Sequence, residues 1–327
     1  MRMTPEPSGS IVSQPLLSVI VTSYKVGELL LEAVDSVTQQ LARDLPRNEW
    51  EVIVVDDASG DPSSEACLRT LHERDASMRI IRQPRNQGVS AARNTGAAAA
   101  TGEWLAFLDG DDCWVPGRVG ILRTALARHP DATWISADFR RITMDGSEFG
   151  AACIRHPSIV SSLDSDGGEC TRLGQPVDAA VTGFLCHANS TLIRRQVFIG
   201  TGGFDESLRS AEDHDLWIRL AARHDLVYVA RSASLYRSNP NSITNTTRKP
   251  HPHLGIVYRK ALADPLARRH AGLIKRRLEK IALENLLHLR HRRQYGETMR
   301  EAIAALKTSP GFLAGWKHFL AALLRID

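Results

Sequence analysis

Three short apolar runs, Leu17–Thr22, Trp50–Val55 and Trp104–Leu108, constrain this chain most, because two of them run straight into carboxylates. The second meets Asp56-Asp57 and the third meets Asp109-Gly110-Asp111-Asp112. Runs this short, with no polar alternation, read as parallel strands buried on both faces. Between the first two, Leu29, Leu30, Ala33, Val34, Val37 and Leu41 recur with a helical period. The rhythm continues with a helix from Pro62 through Leu71, a strand at Arg79–Ile81 and an Ala-rich helix at Val89–Ala100. Strand and helix in alternation predict a doubly wound, mostly parallel α/β sheet with right-handed crossovers. Ligands in such sheets sit outside the carboxyl ends of the strands, which is where Thr22, Asp57 and Asp109 to Asp112 fall.

Further along, the pattern predicts a helix at Pro116–His129, a strand at Ala132–Ala137 and a hairpin at Arg140–Phe149 around Asp145-Gly146. Cys153 to Ala180 has no clear period, so it is expected to be a long loop with a part in acceptor recognition. A strand at Ser190–Ile193, a Gly202-Gly203 turn, a helix from about Glu212 to Arg223 and a strand at Leu226–Ala230 follow. The domain is expected to span residues 16–245, after a flexible Pro- and Ser-rich tail at 1–15 and before a helical extension at 246–327.

The formal charge of +4 hides an asymmetry. The extension holds 17 Lys or Arg against 6 Asp or Glu, so the rest of the chain is acidic. A basic tail calls for a polyanionic partner, either an anionic membrane surface or nucleic acid, unless it is a solvated helical face. Its last segment sets Phe312, Leu313, Trp316, Phe319, Leu320, Leu323 and Leu324 in an apolar stripe that either packs on the domain or lies on a bilayer. No run approaches the ~20 apolar residues of a membrane span. The five cysteines are odd in number and lack C-x-x-C spacing, which argues against a disulfide framework or a zinc site and for a reducing cytosol.

Six motifs, in order, resemble those of the inverting nucleotide-sugar glycosyltransferases of family 2, which have the GT-A fold. They are Leu17-Ser18-Val19-Ile20-Val21-Thr22-Ser23-Tyr24, Val54-Val55-Asp56-Asp57-Ala58-Ser59-Gly60-Asp61, the stretch Asn86 to Gly96, Phe107 to Asp112, Gly202 to Glu206, and Glu212-Asp213-His214-Asp215-Leu216-Trp217. The likeness covers roughly residues 16–245. It implies a GT-A-type sheet and transfer of a sugar from a nucleoside diphosphate, expected to be a UDP-sugar, to a hydroxyl of a saccharide or lipid-linked acceptor with inversion. A surface polysaccharide or glycolipid is the implied product.

The resemblance implies Asp57 on the base, with Thr22 and Tyr24 beside it and Arg93 as a fixed cation at the diphosphate. Asp109 and Asp111 or Asp112 would share the ribose and a divalent ion, Mn²⁺ or Mg²⁺, and Asp111 with Asp112 form the expected metal pair. Asp213 matches the base that takes the acceptor's proton; Glu212 beside it, with partial burial, would raise its pKa. Gly203, Glu212 and Trp217 fall on the acceptor side, though Trp217 reads equally well as core. Asp56 or Asp57 also reads as a cap for the helix after Pro62, and Glu212, Asp213 and Asp215 as ordinary N-terminal helix charges. Family members often place a His after a Tyr-Arg pair; here Tyr236-Arg237-Ser238 is followed by Asn239. The expected place of work is the cytoplasm, peripheral to the inner face of the membrane, with no nucleic-acid partner. A sugar-1-phosphate nucleotidyltransferase or dinucleotide-binding dehydrogenase would want a Gly-rich turn after the first strand, where this chain has Thr22-Ser23-Tyr24-Lys25-Val26-Gly27. A degenerate, nucleotide-binding scaffold is the non-enzymatic alternative.

Overall fold

The computed structural model describes residues 14–150, 156–183, 185–239 and 252–324. Its sheet begins with β1 (Leu17–Ser23), β2 (Trp50–Asp56), β3 (Arg79–Arg82) and β4 (Trp104–Asp109), all parallel. Helices α1 (Leu29–Asp44), α2 (Pro62–Arg74) and α3 (Val89–Ala99) connect them. Successive side chains of a strand point to opposite faces, and both faces here are covered. Val19 and Val21 of β1 join one apolar cluster with Leu30, Val34 and Val37 of α1, while Ile20 joins the other with Ala92 and Ala97 of α3. Hence the strands read as unbroken apolar runs.

The order β3-β2-β1-β4 continues through β9 (Thr191–Arg194), β6 (Trp134–Ile142), β10 (Leu226–Arg237) and β5 (Cys113–Trp114). Strand β7 (Glu148–Phe149) pairs with β6, closing the expected hairpin, and β8 (Cys170–Leu173) pairs with β10. The sheet is mixed and mostly parallel: β9 runs against both neighbours, and β5, β7 and β8 are antiparallel edges. β2 lies on one side of β1 and β4 on the other, so winding reverses between β1 and β4 and opens a crevice outside their carboxyl ends.

The remaining helices are α4 (Arg118–Arg128), α5 (Pro157–Ser165), α6 (Val177–Thr182), α7 (Arg195–Thr201), α8 (Glu212–Ala221), α9 (Pro252–Ala263), α10 (Ala271–His291), α11 (Tyr295–Thr308) and α12 (Leu313–Leu323). Two expectations need correction. The stretch expected to be a loop over 153–180 contains α5, β8 and the start of α6; each is too short to carry a periodic signal. The strand expected to end at Ala230 runs on to Arg237, because two irregularities in its pairing with β6 restart the ladder after Val229.

The expected boundary at 245 lies outside the described residues. Beyond it, Val257, Tyr258 and Ala261 of α9 and Ile274, Leu278 and Ile281 of α10 belong to the main core. From Ala282 onward α10 changes allegiance. Ala282, Leu286, Ala302, Ala305, Leu306 and Phe312 make a separate small core among α10, α11 and α12.

Candidate active site

Thr22, next to last in β1, is in register with Asp109 at the end of β4, and its hydroxyl donates to Asp109 Oδ1 at 3.2 Å. The chain then turns sharply, and Gly110 N–H donates to Thr22 O at 2.8 Å. A Cβ on Gly110 would lie 2.7 Å from that oxygen, so only glycine permits the turn. The three carboxylates are thereby sent to different places.

Asp112 goes inward. It is 1% exposed; Oδ1 accepts from Arg237 N–H at 2.6 Å and Oδ2 from the Asn189 amide. Asn189 also accepts from Asp109 N–H, at 3.3 Å. Arg237 donates further to Asp111 O, Met144 O and Glu32 Oε2 at 2.8, 3.1 and 2.8 Å. Asp112 therefore fastens the acidic turn to β10. This corrects its expected place in a metal pair, since both oxygens are engaged by the protein and the side chain is closed off. Burial and the charges of Asp111 and Asp109 hold its carboxyl well above the ordinary range.

Asp109 and Asp111 stay partly open. Asp109 binds Arg93, whose Nη2 reaches Oδ1 at 2.7 Å and Oδ2 at 3.0 Å. Nη1 of the same guanidinium donates to Glu212 Oε1 at 3.0 Å. Burial works against the charge on Arg93, but Asp109 and Glu212 outweigh it, and its pKa lies above the ordinary value. One buried cation thus ties the end of β4 to the start of α8. Burial raises Asp111 to about 6, with the charge of Asp109 adding to it.

The next motif supplies a second tie. Asn94, beside Arg93 on α3, donates to Phe204 O at 2.8 Å and to Glu206 Oε1 at 2.9 Å, and accepts from Phe204 N–H at 3.0 Å. Gly203 sits at φ +64, and a Cβ there would approach Asn94 Oδ1 to 2.7 Å. The loop before α8 is therefore glycine because Asn94 fills the space.

At the head of α8, Asp213 is half-buried. Its Oδ1 accepts from His214 N–H at 2.7 Å. Burial first, and Glu212 second, push its carboxyl up to about 7. A group titrating there can both take and release a proton at neutral pH. Behind it, Asp215 is buried and pairs with Arg219 at 2.7 Å and with Lys260 of α9 at 2.6 Å. Arg219 donates to Thr201 O and Gly203 O, both at 2.7 Å, and Lys260 also binds Asp205. His214 meets Tyr258 of α9 at 3.0 Å. The extension thus braces the helix that carries Asp213.

The other expected residues fall as follows. Asp57 is buried, and its two oxygens accept from Gln87 and Gly88 N–H, both at 2.8 Å, so it fixes the entry to α3. The cap on α2 is neither Asp56 nor Asp57 but Asp61, which accepts from Ser64 N–H at 3.0 Å. Tyr24 stands exposed at the end of β1. Trp217 needs correction: it is 2% exposed and stacked on Trp134 at 5.8 Å, on the core side of α8, and offers no face to a sugar. Sequence reasoning missed Asn189, Arg237, Arg219 and Lys260. Asn189, Arg219 and Lys260 stand in no motif with a chemical signature, Arg237 enters only through the Tyr236-Arg237 pair, and the i, i+4 spacing of Asp215 and Arg219 hints at an ion pair.

Carboxylates and one buried arginine gathered at the switch point of a mostly parallel sheet are an arrangement of the GT-A type. The comparisons agree. The model of "Glycosyl transferase family 2" matches residues 18–150, and that of "Glycosyltransferase like family 2" matches residues 175–267. The chain is 31% identical over 253 residues to the uncharacterized glycosyltransferase EpsJ of Bacillus subtilis, covering 76% of this chain and 69% of EpsJ. It is 27% identical over 305 residues to the succinoglycan biosynthesis protein ExoU of Rhizobium meliloti, covering 86% and 83%. In fold it is similar to S. aureus TarS 1-349, solved in complex with UDP-GlcNAc, with a TM-score of 0.66 at 15% identity over 94% of this chain and 89% of that one. This chain belongs to glycosyltransferase family 2.

Proposed function

We propose that the protein transfers a sugar from a uridine diphosphate sugar to a hydroxyl of a saccharide or glycolipid acceptor, with inversion at the anomeric carbon and Asp213 as the base. The observation that carries this reading is the Arg93 bridge, which ties Asp109 at the end of β4 to Glu212 and so keeps Asp213, with its carboxyl pushed up to about 7, close to the strand ends. TarS holding UDP-GlcNAc and UDP supports the donor class, and the name of ExoU supports a polysaccharide acceptor.

The acceptor hydroxyl attacks the anomeric carbon from the face opposite the diphosphate. Its proton passes to Asp213, whose Oδ1 is occupied by His214 N–H, so Oδ2 takes it. The bond from the anomeric carbon to the phosphate oxygen breaks, and its electron pair leaves with the nucleoside diphosphate. Thr22 and Asp109 face the nucleoside, and Tyr24, exposed at the rim, lies over it. Arg93 favours the ionised form of Asp109 and pairs with Glu212.

A divalent cation fits this site through Asp111 and not through Asp112. Among the described residues no three His, Cys, Asp or Glu side chains are grouped to hold an ion by themselves, so Mn²⁺ or Mg²⁺ would bind jointly with the diphosphate. The raised carboxyl of Asp111 beside the charge of Asp109 is the electrostatic strain that such a cation relieves. When bound, the ion would neutralise charge on the leaving diphosphate.

The test incubates the protein with UDP-sugars and Mn²⁺ and follows the phosphorus products. Slow, Mn²⁺-stimulated release of UDP is expected from wild type. Pyrophosphate consumption or release would mark a nucleotidyltransferase, and UDP binding without turnover under any donor would mark a scaffold; either contradicts the proposal.

A further inference from the structure

Helix α12 packs on α10 and α11 through one face, and its other face, also apolar, is uncovered among the described residues. Gly315, His318 and Ala322 are buried toward the small core. Leu313, Trp316, Leu320, Leu323 and Leu324, spaced 3, 4, 3 and 1 apart, form the opposite stripe and are 81, 47, 51, 55 and 65% exposed. A soluble helix ordinarily turns a polar face outward, and one that is apolar all round is ordinarily covered. Isolated exposed leucines need no explanation; five on one stripe do.

The charge of the helical extension as a whole selects what covers the stripe. On the connection into α10 and on α10 itself, Arg268, Arg269, Lys275, Arg276 and Lys280 are exposed, and none pairs with a carboxylate among the described residues. Arg276 and Lys280 share the solvent face of α10 with exposed Leu287, opposite Ile274, Leu278 and Ile281. Residues 246–327 carry 17 Lys or Arg against 6 Asp or Glu. Two copies meeting through this region would bring like charge together. An anionic surface with an apolar interior meets both requirements at once. No helix among the described residues is long and apolar enough to cross a membrane, so the contact is in the plane of the interface.

We propose that α12 is an in-plane membrane anchor that seats its Leu313–Leu324 stripe in an anionic bilayer, with the cations of the C-terminal helices supplying the attraction. This goes beyond the catalytic reading and does not depend on it.

Flotation of the full chain with vesicles of phosphatidylcholine alone, or with phosphatidylglycerol added, tests it. Wild type should bind the anionic vesicles at least roughly tenfold better, and added salt should weaken the binding. The double variant Leu313→Asp, Leu320→Asp should stay behind, while its thermal unfolding and donor hydrolysis match wild type, because both side chains face solvent. Lys275→Glu with Lys280→Glu should lower binding to anionic vesicles and leave binding to neutral ones alone. Wild type that ignores anionic vesicles, or a double variant that floats as wild type does, would overturn the proposal. So would a self-associated species on size exclusion that the leucine variant dissolves in the absence of any flotation, since a second copy would then be the occupant.

Discussion

The two walls of the proposed site, its donor wall and its acceptor wall, are built by different means. The donor wall is made of strand ends: Thr22, Asp57 and Asp109 sit where β1, β2 and β4 stop, and neighbouring backbone aligns them in register. The acceptor wall is the head of one helix. It is entered through Ala211 in a left-handed conformation at φ 60 and held from three sides by Arg93, Arg219 and Lys260. A sheet positions its side chains through main-chain hydrogen bonds that most substitutions spare. A helix head held by ion pairs depends on particular side chains, so substitutions should damage the two walls unequally.

Asp213→Asn should break the comparison most sharply. Loss of a positioned base costs roughly 10²- to 10⁴-fold in kcat. UDP affinity by calorimetry should be unchanged, since the donor wall is untouched; a matching loss of affinity would mean the two walls are one. Next comes Arg93→Ala, which leaves Asp109 and Glu212 without their partner. Removing one member of a buried pair costs about 3–5 kcal/mol, and the exposed part of Asp109 places this case toward the lower end. Urea unfolding measures it, and Arg93→Lys should recover only part, because an ammonium cannot fork between two carboxylates.

Asn189→Ala sharpens the donor side. It strips a hydrogen bond from buried Asp112, with an expected cost of about 1–3 kcal/mol and a weaker response of UDP affinity to Mn²⁺ as Asp111 loses its setting. Ala211→Gly should have the smallest effect. Left-handed backbone costs an L-residue about 1–2 kcal/mol, and glycine's extra chain entropy offsets part of that, so denaturant midpoints should rise modestly.

Much of this was legible in sequence. The strands of the donor wall announce themselves because they are buried on both faces and end in carboxylates, although Asp57 and Asp112 prove to hold the backbone in place. The acceptor wall was half legible: Glu212-Asp213 stands in a recognisable motif with Arg219 one turn along, but its braces Arg93 and Lys260 are brought near by the fold alone, as Asn189 and Arg237 are to Asp112 on the donor side. Trp217 shows the limit. An aromatic residue on an amphipathic helix packs inward or stands at a site, and only its stacking on Trp134 decides between them. Asp112 shows another. Three adjacent carboxylates look alike in sequence, while the Gly110 turn sends one into the protein and leaves two at the crevice.

Stability carries the same signature. A carboxyl near pH 7 when folded, against about 3.9 when unfolded, holds its proton more tightly in the folded state. Its contribution is therefore fully present below the unfolded value and is lost as pH rises toward 7. Asp213→Asn should lose that decline, gaining on wild type in urea midpoint between about pH 4 and 7.

The most direct test of the central claim is kcat against pH at saturating donor and acceptor. Wild type should show a rising limb with its midpoint near 7, as Asp213 gives up its proton, and the residual activity of Asp213→Asn should lack it. A limb near pH 4, or an unchanged limb in the variant, would contradict Asp213 as the base and with it the division of labour between the two walls.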